Sequence, residues 1–185
     1  MRYNYYQMNI SVFCASSDNI PASHIAQARL LGEWIATEGH TLVYGGAKGG
    51  LMDAVAEGAA SAGGEIIGII PDSIAERGRS SSLPTSLLRV ADLSERKQML
   101  MEYADVAIAL PGGFGTLDEM FSAISARKVG EADATTIIFN LEGFYDHLLA
   151  HIRHFTEMGI ANPAYNECYR VATTLNEITE IIESI

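Results

Sequence analysis

The chain has 185 residues, 48% of them hydrophobic, enough to bury about 70% of its unfolded surface around an ordinary core with no disulfide or metal staple. With 12 Lys and Arg against 23 Asp and Glu the formal charge is −11, and no run of five or six like charges occurs, which argues against broad binding to nucleic acid or to an anionic membrane surface. A phosphate-bearing ligand must then be held locally, by backbone amides and a few cations.

The first residues, Met1-Arg2-Tyr3-Asn4-Tyr5-Tyr6-Gln7, are polar and aromatic and lack the apolar core of a signal peptide. The two cysteines, Cys14 and Cys168, have neither a CxxC partner nor secreted-domain spacing. Both features point to a reducing, cytoplasmic setting. Short apolar runs predict strands over 9–14, 41–44, 65–70, 87–90, 106–110 and 135–140, with a last short one near 169–172. Apolar residues at three and four spacing predict helices over 22–38, 51–60, 93–103, 117–128, 145–158 and 175–183. The apolar runs are far shorter than the ~20 residues of a membrane-spanning helix. Strands alternating with helices describe an α/β protein, a parallel sheet covered by helices on both faces, in a single domain over 1–185. Residues 71–86, with Pro71, Gly78, Ser80, Ser81, Ser82 and Pro84, read as a loop long enough for a lid or an oligomer contact.

In such a sheet the ligand crevice lies beyond the carboxyl ends of the strands, so the turns after the strands matter most. After the strand ending at Leu110 come Pro111-Gly112-Gly113-Phe114-Gly115-Thr116-Leu117-Asp118-Glu119 and a helix. The glycines let backbone amides approach a ligand, and the helix start adds a partial positive charge. Thr116-x-x-Glu119 also reads as a capping box, with Thr116 at the N-cap. After Tyr44 come Gly45-Gly46-Ala47-Lys48-Gly49-Gly50, which lacks the middle glycine of G-x-G-x-x-G, and no Walker sequence occurs. A dinucleotide-dependent oxidoreductase is disfavoured, although Asp72 stands at the distance of a ribose-binding acid. The first strand ends in Cys14-Ala15-Ser16-Ser17, whose hydroxyls can donate to phosphate or cap a helix. Asp92-x-x-Glu95 reads as a further cap that places Arg96 and Lys97 near a helix N-terminus. The macrodipole opposes cations there, so they need an anion, from Glu95 or from a bound phosphate, unless they are simply solvated on an exposed face. His147, His151 and His154 share a helical face, without HExxH, and read as a polar surface in preference to a metal site.

The segment 111–119 matches P-G-G-x-G-T-x-x-E, and Arg96-Lys97 the R-K pair that precedes it. With Val12-Phe13-Cys14-Ala15-Ser16-Ser17, Leu42-Val43-Tyr44-Gly45-Gly46, Gly50-Leu51-Met52, Ile67-Gly68-Ile69-Ile70-Pro71 and Asn140-Leu141-Glu142-Gly143-Phe144-Tyr145-Asp146, the chain resembles the Lonely Guy (LOG) family of cytokinin riboside 5'-monophosphate phosphoribohydrolases, whose members were often labelled possible lysine decarboxylases. The resemblance implies a Rossmann-like sheet, usually in a homodimer, and no cofactor. It implies hydrolysis of the N-glycosidic bond of AMP or an N6-substituted AMP to free base and ribose 5-phosphate. Glu119 and Arg96 would be the catalytic pair. Gly112, Gly113, Gly115 and Thr116 would hold the phosphate, with Ser16, Ser17, Gly45, Gly46 and Lys97 lining the rest. The alternative is a non-catalytic nucleotide or molybdenum-cofactor carrier on the same fold. The sequence departs from the family pattern at Ala47 and Asp53, and over 125–134 it lacks the usual Trp and Lys-Pro. That puts a preference for prenylated adenine over plain AMP in doubt.

Overall fold

The computed structural model describes residues 7–185. The reading of the leader rests mainly on residues 1–6, outside that range. Seven strands form one all-parallel sheet: β1 (Asn9–Phe13), β2 (Thr41–Tyr44), β3 (Ile66–Pro71), β4 (Ser86–Val90), β5 (Val106–Ala109), β6 (Thr135–Phe139) and β7 (Tyr169–Ala172). Their order is β4-β3-β2-β1-β5-β6-β7. The helices are α1 (Ala22–Thr37), α2 (Gly50–Ser61), α3 (Asp72–Ala75), α4 (Leu93–Glu102), α5 (Phe114–Val129), α6 (Asp146–Glu157) and α7 (Leu175–Glu183).

The five inner strands are buried on both faces because both are covered. Ile10, Val12, Leu42, Ile108 and Ile137 point to one core with Leu31 and Ile35 of α1, Val55 of α2 and Ile178 of α7. Phe13, Val43, Ala107 and Ile138 point to the other, with Leu100 of α4, Met120 and Ile124 of α5, and Leu148 of α6 packed against it. Among buried polar groups, the Ser11 hydroxyl donates to the Leu100 carbonyl at 2.6 Å, tying β1 to α4. Helices α1 and α2 approach backbone to backbone. A Cβ on Gly32 would lie 1.9 Å from the Val55 carbonyl oxygen, and one on Gly58 would lie 2.0 Å from that of Arg29.

The expected strands and long helices are all present, with ends shifted by three residues or fewer. The largest shift is at α5, expected from Leu117 and formed from Phe114. Gly115 in its first turn has poor intrinsic helix propensity, which tertiary context overrides. The region 71–86 is not one open loop. It contains α3, and Ser80 then forms an antiparallel bridge with Ala47. Lys48 N donates to the Arg79 carbonyl at 2.8 Å and Ser81 N to the Gly46 carbonyl at 2.9 Å, so the segment lies docked on the β2–α2 turn.

Candidate active site

Strand order reverses beside β1: β2, β3 and β4 follow on one side and β5, β6 and β7 on the other. The carboxyl ends of β1 and β5 therefore splay around a crevice. The turn after β1 is stitched to both neighbours. Ala15 N donates to the Pro111 carbonyl at 3.2 Å, and the Ala15 carbonyl accepts from Leu51 N at 2.9 Å and Met52 N at 3.3 Å. Between these turns lies a cleft of about 270 Å³. Ser16 and Ser17 form one wall, Gly113, Gly115 and Thr116 another, and Arg96 and Glu119 a third. Four other expected site residues stand back from it. Gly112 lies beneath the Thr116 side chain; a Cβ there would be 2.0 Å from Thr116 Oγ1. Gly45 backs Met52 and Arg96, and Gly46 packs on the β3 backbone. Lys97 is turned to Asp118, with Nζ 2.9 Å from both carboxylate oxygens.

The two glycine-rich helix starts differ in what their amides do. At α2 they are used internally: Asp53 Oδ2 accepts from Gly49 N at 2.7 Å, and the Ala15 carbonyl accepts from Leu51 N and Met52 N. Asp53, a departure from the family pattern, thus closes that helix start. At α5 the N-cap is Gly113, which has no side chain to offer, and Leu117 N is the first amide to find an acceptor, the Gly113 carbonyl at 3.0 Å. Among the described residues, nothing accepts from the amides of Phe114, Gly115 and Thr116. This is the open anion-binding end. The capping-box reading of Thr116-x-x-Glu119 is corrected here. Thr116 sits inside the first turn, because the helix begins three residues earlier than that box requires.

Glu119 is instead turned across the cleft to Arg96, Oε1 to Nη2 at 2.6 Å. Both are buried, at 3% and 9% exposure, so for Arg96 the solvated-face reading is corrected. The cap on α4 forms as expected: Asp92 Oδ1 accepts from Ser94 N at 2.8 Å and Glu95 N at 2.9 Å. Glu95 bonds to Ala91 N, so the anions that balance Arg96 and Lys97 are Glu119 and Asp118 of α5, not Glu95. Burial pushes the Glu119 carboxyl above its ordinary range, and the Arg96 charge and hydrogen bond oppose that rise. Arg96 Nε is buried with no acceptor among the described residues, a donor that a bound ligand or water can satisfy. Three cleft residues carried no role in the sequence reading, among them Ala15, whose carbonyl binds the start of α2. Cys14 forms part of the wall, its thiol pushed up by burial and by Glu119, and so protonated and a poor nucleophile. Met52, in the first turn of α2, forms another part.

Other candidates are structural. Asp72 is paired with Arg89, Oδ1 to Nε at 2.6 Å, so its carboxylate is engaged away from any ribose. His147, His151 and His154 are exposed on α6, and no group of three potential metal ligands occurs among the described residues. No described helix is long and apolar enough to cross a membrane.

The chain is similar to proteins of known sequence over nearly its whole length. It is 34% identical over 174 residues to the cytokinin riboside 5'-monophosphate phosphoribohydrolase LOG3 of Arabidopsis thaliana, covering 94% of this chain and 81% of that protein. It is 33% identical to the probable cytokinin riboside 5'-monophosphate phosphoribohydrolase LOGL6 of Oryza sativa subsp. japonica, covering 95% and 70%. Among solved structures, the molybdenum cofactor binding protein of Rippkaea orientalis superposes with a TM-score of 0.73 at 23% identity, covering 97% and 98% of the two chains. The molybdenum cofactor carrier protein of Chlamydomonas reinhardtii gives 0.74 at 21%, covering 96% and 98%. These two show the fold alone. A family model described as possible lysine decarboxylase matches residues 52–182, and with the relatives above it places the chain in that family, the one that includes the LOG phosphoribohydrolases.

Proposed function

We propose that the protein hydrolyses the N-glycosidic bond of a nucleoside 5'-monophosphate, AMP or an N6-substituted AMP, to the free base and ribose 5-phosphate. One observation carries the reading: a buried carboxylate, held by a buried arginine, faces the same small cleft as the open amides of α5. The 5'-phosphate sits on those amides, with the hydroxyls of Thr116, Ser16 and Ser17 beside it. At about 270 Å³ the cleft has room for a sugar phosphate, while the base extends past its mouth. The C1'–N bond breaks with its electron pair leaving on the base, and C1' becomes oxocarbenium-like. Ionised Glu119 stabilises that positive charge and takes the proton of the attacking water, whose oxygen forms the new bond to C1'. Arg96 holds Glu119 in place, and the departing base takes its proton from solvent at the open mouth.

Decarboxylation of lysine would call for pyridoxal phosphate held as a lysine Schiff base. The cleft walls contain no lysine, and Lys97, the nearest in sequence to the pair, is bound by Asp118. These residues do not fit that cofactor. A carrier needs the open helix start but has no use for a buried carboxylate beside it.

The same reading includes a homodimer in the cytoplasm. Leu93, Phe114 and Phe121, apolar and exposed on the two helices that bear Arg96 and Glu119, support a second copy as partner. Cys14 and Cys168, both free and buried, suit a reducing compartment.

The test is to incubate the protein with AMP and with isopentenyl-AMP and to follow free base by chromatography. Glu119→Gln is expected to lose base release by at least about 100-fold while still binding AMP. A Glu119→Gln protein that turns over normally would remove Glu119 from the chemistry. Wild-type protein that is stabilised by AMP but releases no base would favour the carrier.

A further inference from the structure

The motif Asn140-Leu141-Glu142-Gly143-Phe144-Tyr145-Asp146 has no part in the chemistry above, yet it buries two polar side chains, Asn140 and Tyr145. Tyr145, at 2% exposure, precedes α6. Its amide donates to Asn140 Oδ1 at 2.7 Å, and Asn140 Nδ2 donates to Asp146 Oδ1 at 2.8 Å. The Asn140 amide donates to the Ala172 carbonyl at 2.7 Å, which fixes the turn to the end of β7. The phenol ring is thus held from its own backbone, and its hydroxyl donates to the Leu110 carbonyl at 2.7 Å.

Leu110 and Gly112 flank Pro111 in the turn between β5 and α5. That turn has few other supports. Leu110 N donates to the Phe13 carbonyl at 2.9 Å and the Pro111 carbonyl accepts from Ala15 N at 3.2 Å, both on the β1 side, while Pro111 has no N–H to donate. Gly112 and Gly113 bring wide conformational freedom to the segment that must aim the α5 amides. Two bonds along one edge leave the turn able to pivot; a third from the opposite side stops it. Burial pushes the Tyr145 phenol up, so it stays protonated and remains a donor to Leu110 across the working pH range.

We propose that Tyr145 is a positioning residue for phosphate recognition: its hydroxyl holds the 110–113 turn so that the amides of Phe114, Gly115 and Thr116 converge on the 5'-phosphate. The proposal rests on the reading that those amides bind the phosphate. Tyr145→Phe keeps the ring and removes the hydroxyl. It is expected to raise KM for AMP about tenfold and to weaken ribose 5-phosphate binding, measured by calorimetry, by the same factor, with kcat within about threefold of wild type. Leu148→Ala, which loosens α6 packing on the same core without touching the turn, lowers thermal stability and leaves KM unchanged. A Tyr145→Phe protein with wild-type KM and ribose 5-phosphate affinity overturns the proposal, as does one that loses only kcat or stability in the manner of Leu148→Ala. Wild-type protein measured first separates the two levels: if it neither binds ribose 5-phosphate nor releases base, the phosphate reading fails and takes this proposal with it.

Discussion

At the scale of single residues, the Arg96–Glu119 pair makes the sharpest prediction about pH. On the proposed mechanism Glu119 works ionised, and burial raises its pKa while Arg96 opposes the rise. Protonation therefore switches the site off as pH falls through a value above that of an ordinary glutamate. The acid limb of kcat/KM should lie correspondingly high, and Arg96→Gln should move it higher while costing at least about 100-fold in rate. Lys97→Ala should cost less than about threefold, because Lys97 faces Asp118 and stands outside the cleft. Equal losses at the two positions would show that the wrong cation has been given the central role. Much of this was legible in the sequence. Gly113, Gly115, Thr116, Glu119 and Arg96, all picked out by the motifs, come together at one cleft. The direction in which each side chain turns was not. Thr116-x-x-Glu119 satisfies the pattern of a capping box, and only the earlier helix start, set by packing in three dimensions, frees Glu119 to meet Arg96.

At the scale of elements, two glycine-rich turns with similar sequences have opposite fates. The α2 start spends its amides on Asp53 and Ala15, and the α5 start leaves its own open. The sequence shows two candidate cradles of comparable glycine content, and the choice between them depends on a carbonyl from a third turn. The crossing of α1 and α2 is equally hidden in one dimension, since Gly32 and Gly58 look like weak points in helical stretches. Their role is contact, and it is testable. Gly32→Ala should destabilise the fold by about 1–3 kcal/mol in urea denaturation, although alanine is the better helix former. A Gly32→Ala protein more stable than wild type would mean that the two helices separate readily to admit a methyl group.

For the whole molecule, strand alternation gave the fold class directly, because runs such as Ile66–Pro71 are apolar at every position, as only a doubly covered strand needs to be. Strand order was not legible. Nothing in the local pattern says that the chain leaves β4 and returns to the far side of β1, and that return is what brings Ser16 and Ser17 against residues almost a hundred positions later. The assembly also lies beyond a single chain's pattern. If the exposed apolar residues of α4 and α5 face a second copy, sedimentation at about 10 μM gives twice the 20.0 kDa chain mass, and Phe114→Glu lowers it toward one. A wild-type monomer at that concentration would leave Phe114 exposed in solution and overturn the dimer.

The central position of β1 also sets a timetable for biosynthesis. It is made before the other six strands, yet one of its two neighbours, β5, begins at Val106, after four strands and four helices have been made. At about 5–20 residues per second, the edge formed by Ile10, Ser11, Val12 and Phe13 stays bare on the ribosome for roughly 5–20 s after β1 itself has been made. An uncharged, proline-free strand edge of this kind is a template for pairing with another nascent chain. The arrangement that creates the crevice between β1 and β5 therefore also makes the protein's yield sensitive to translation speed and to chaperones that shield the first strand until the fifth arrives.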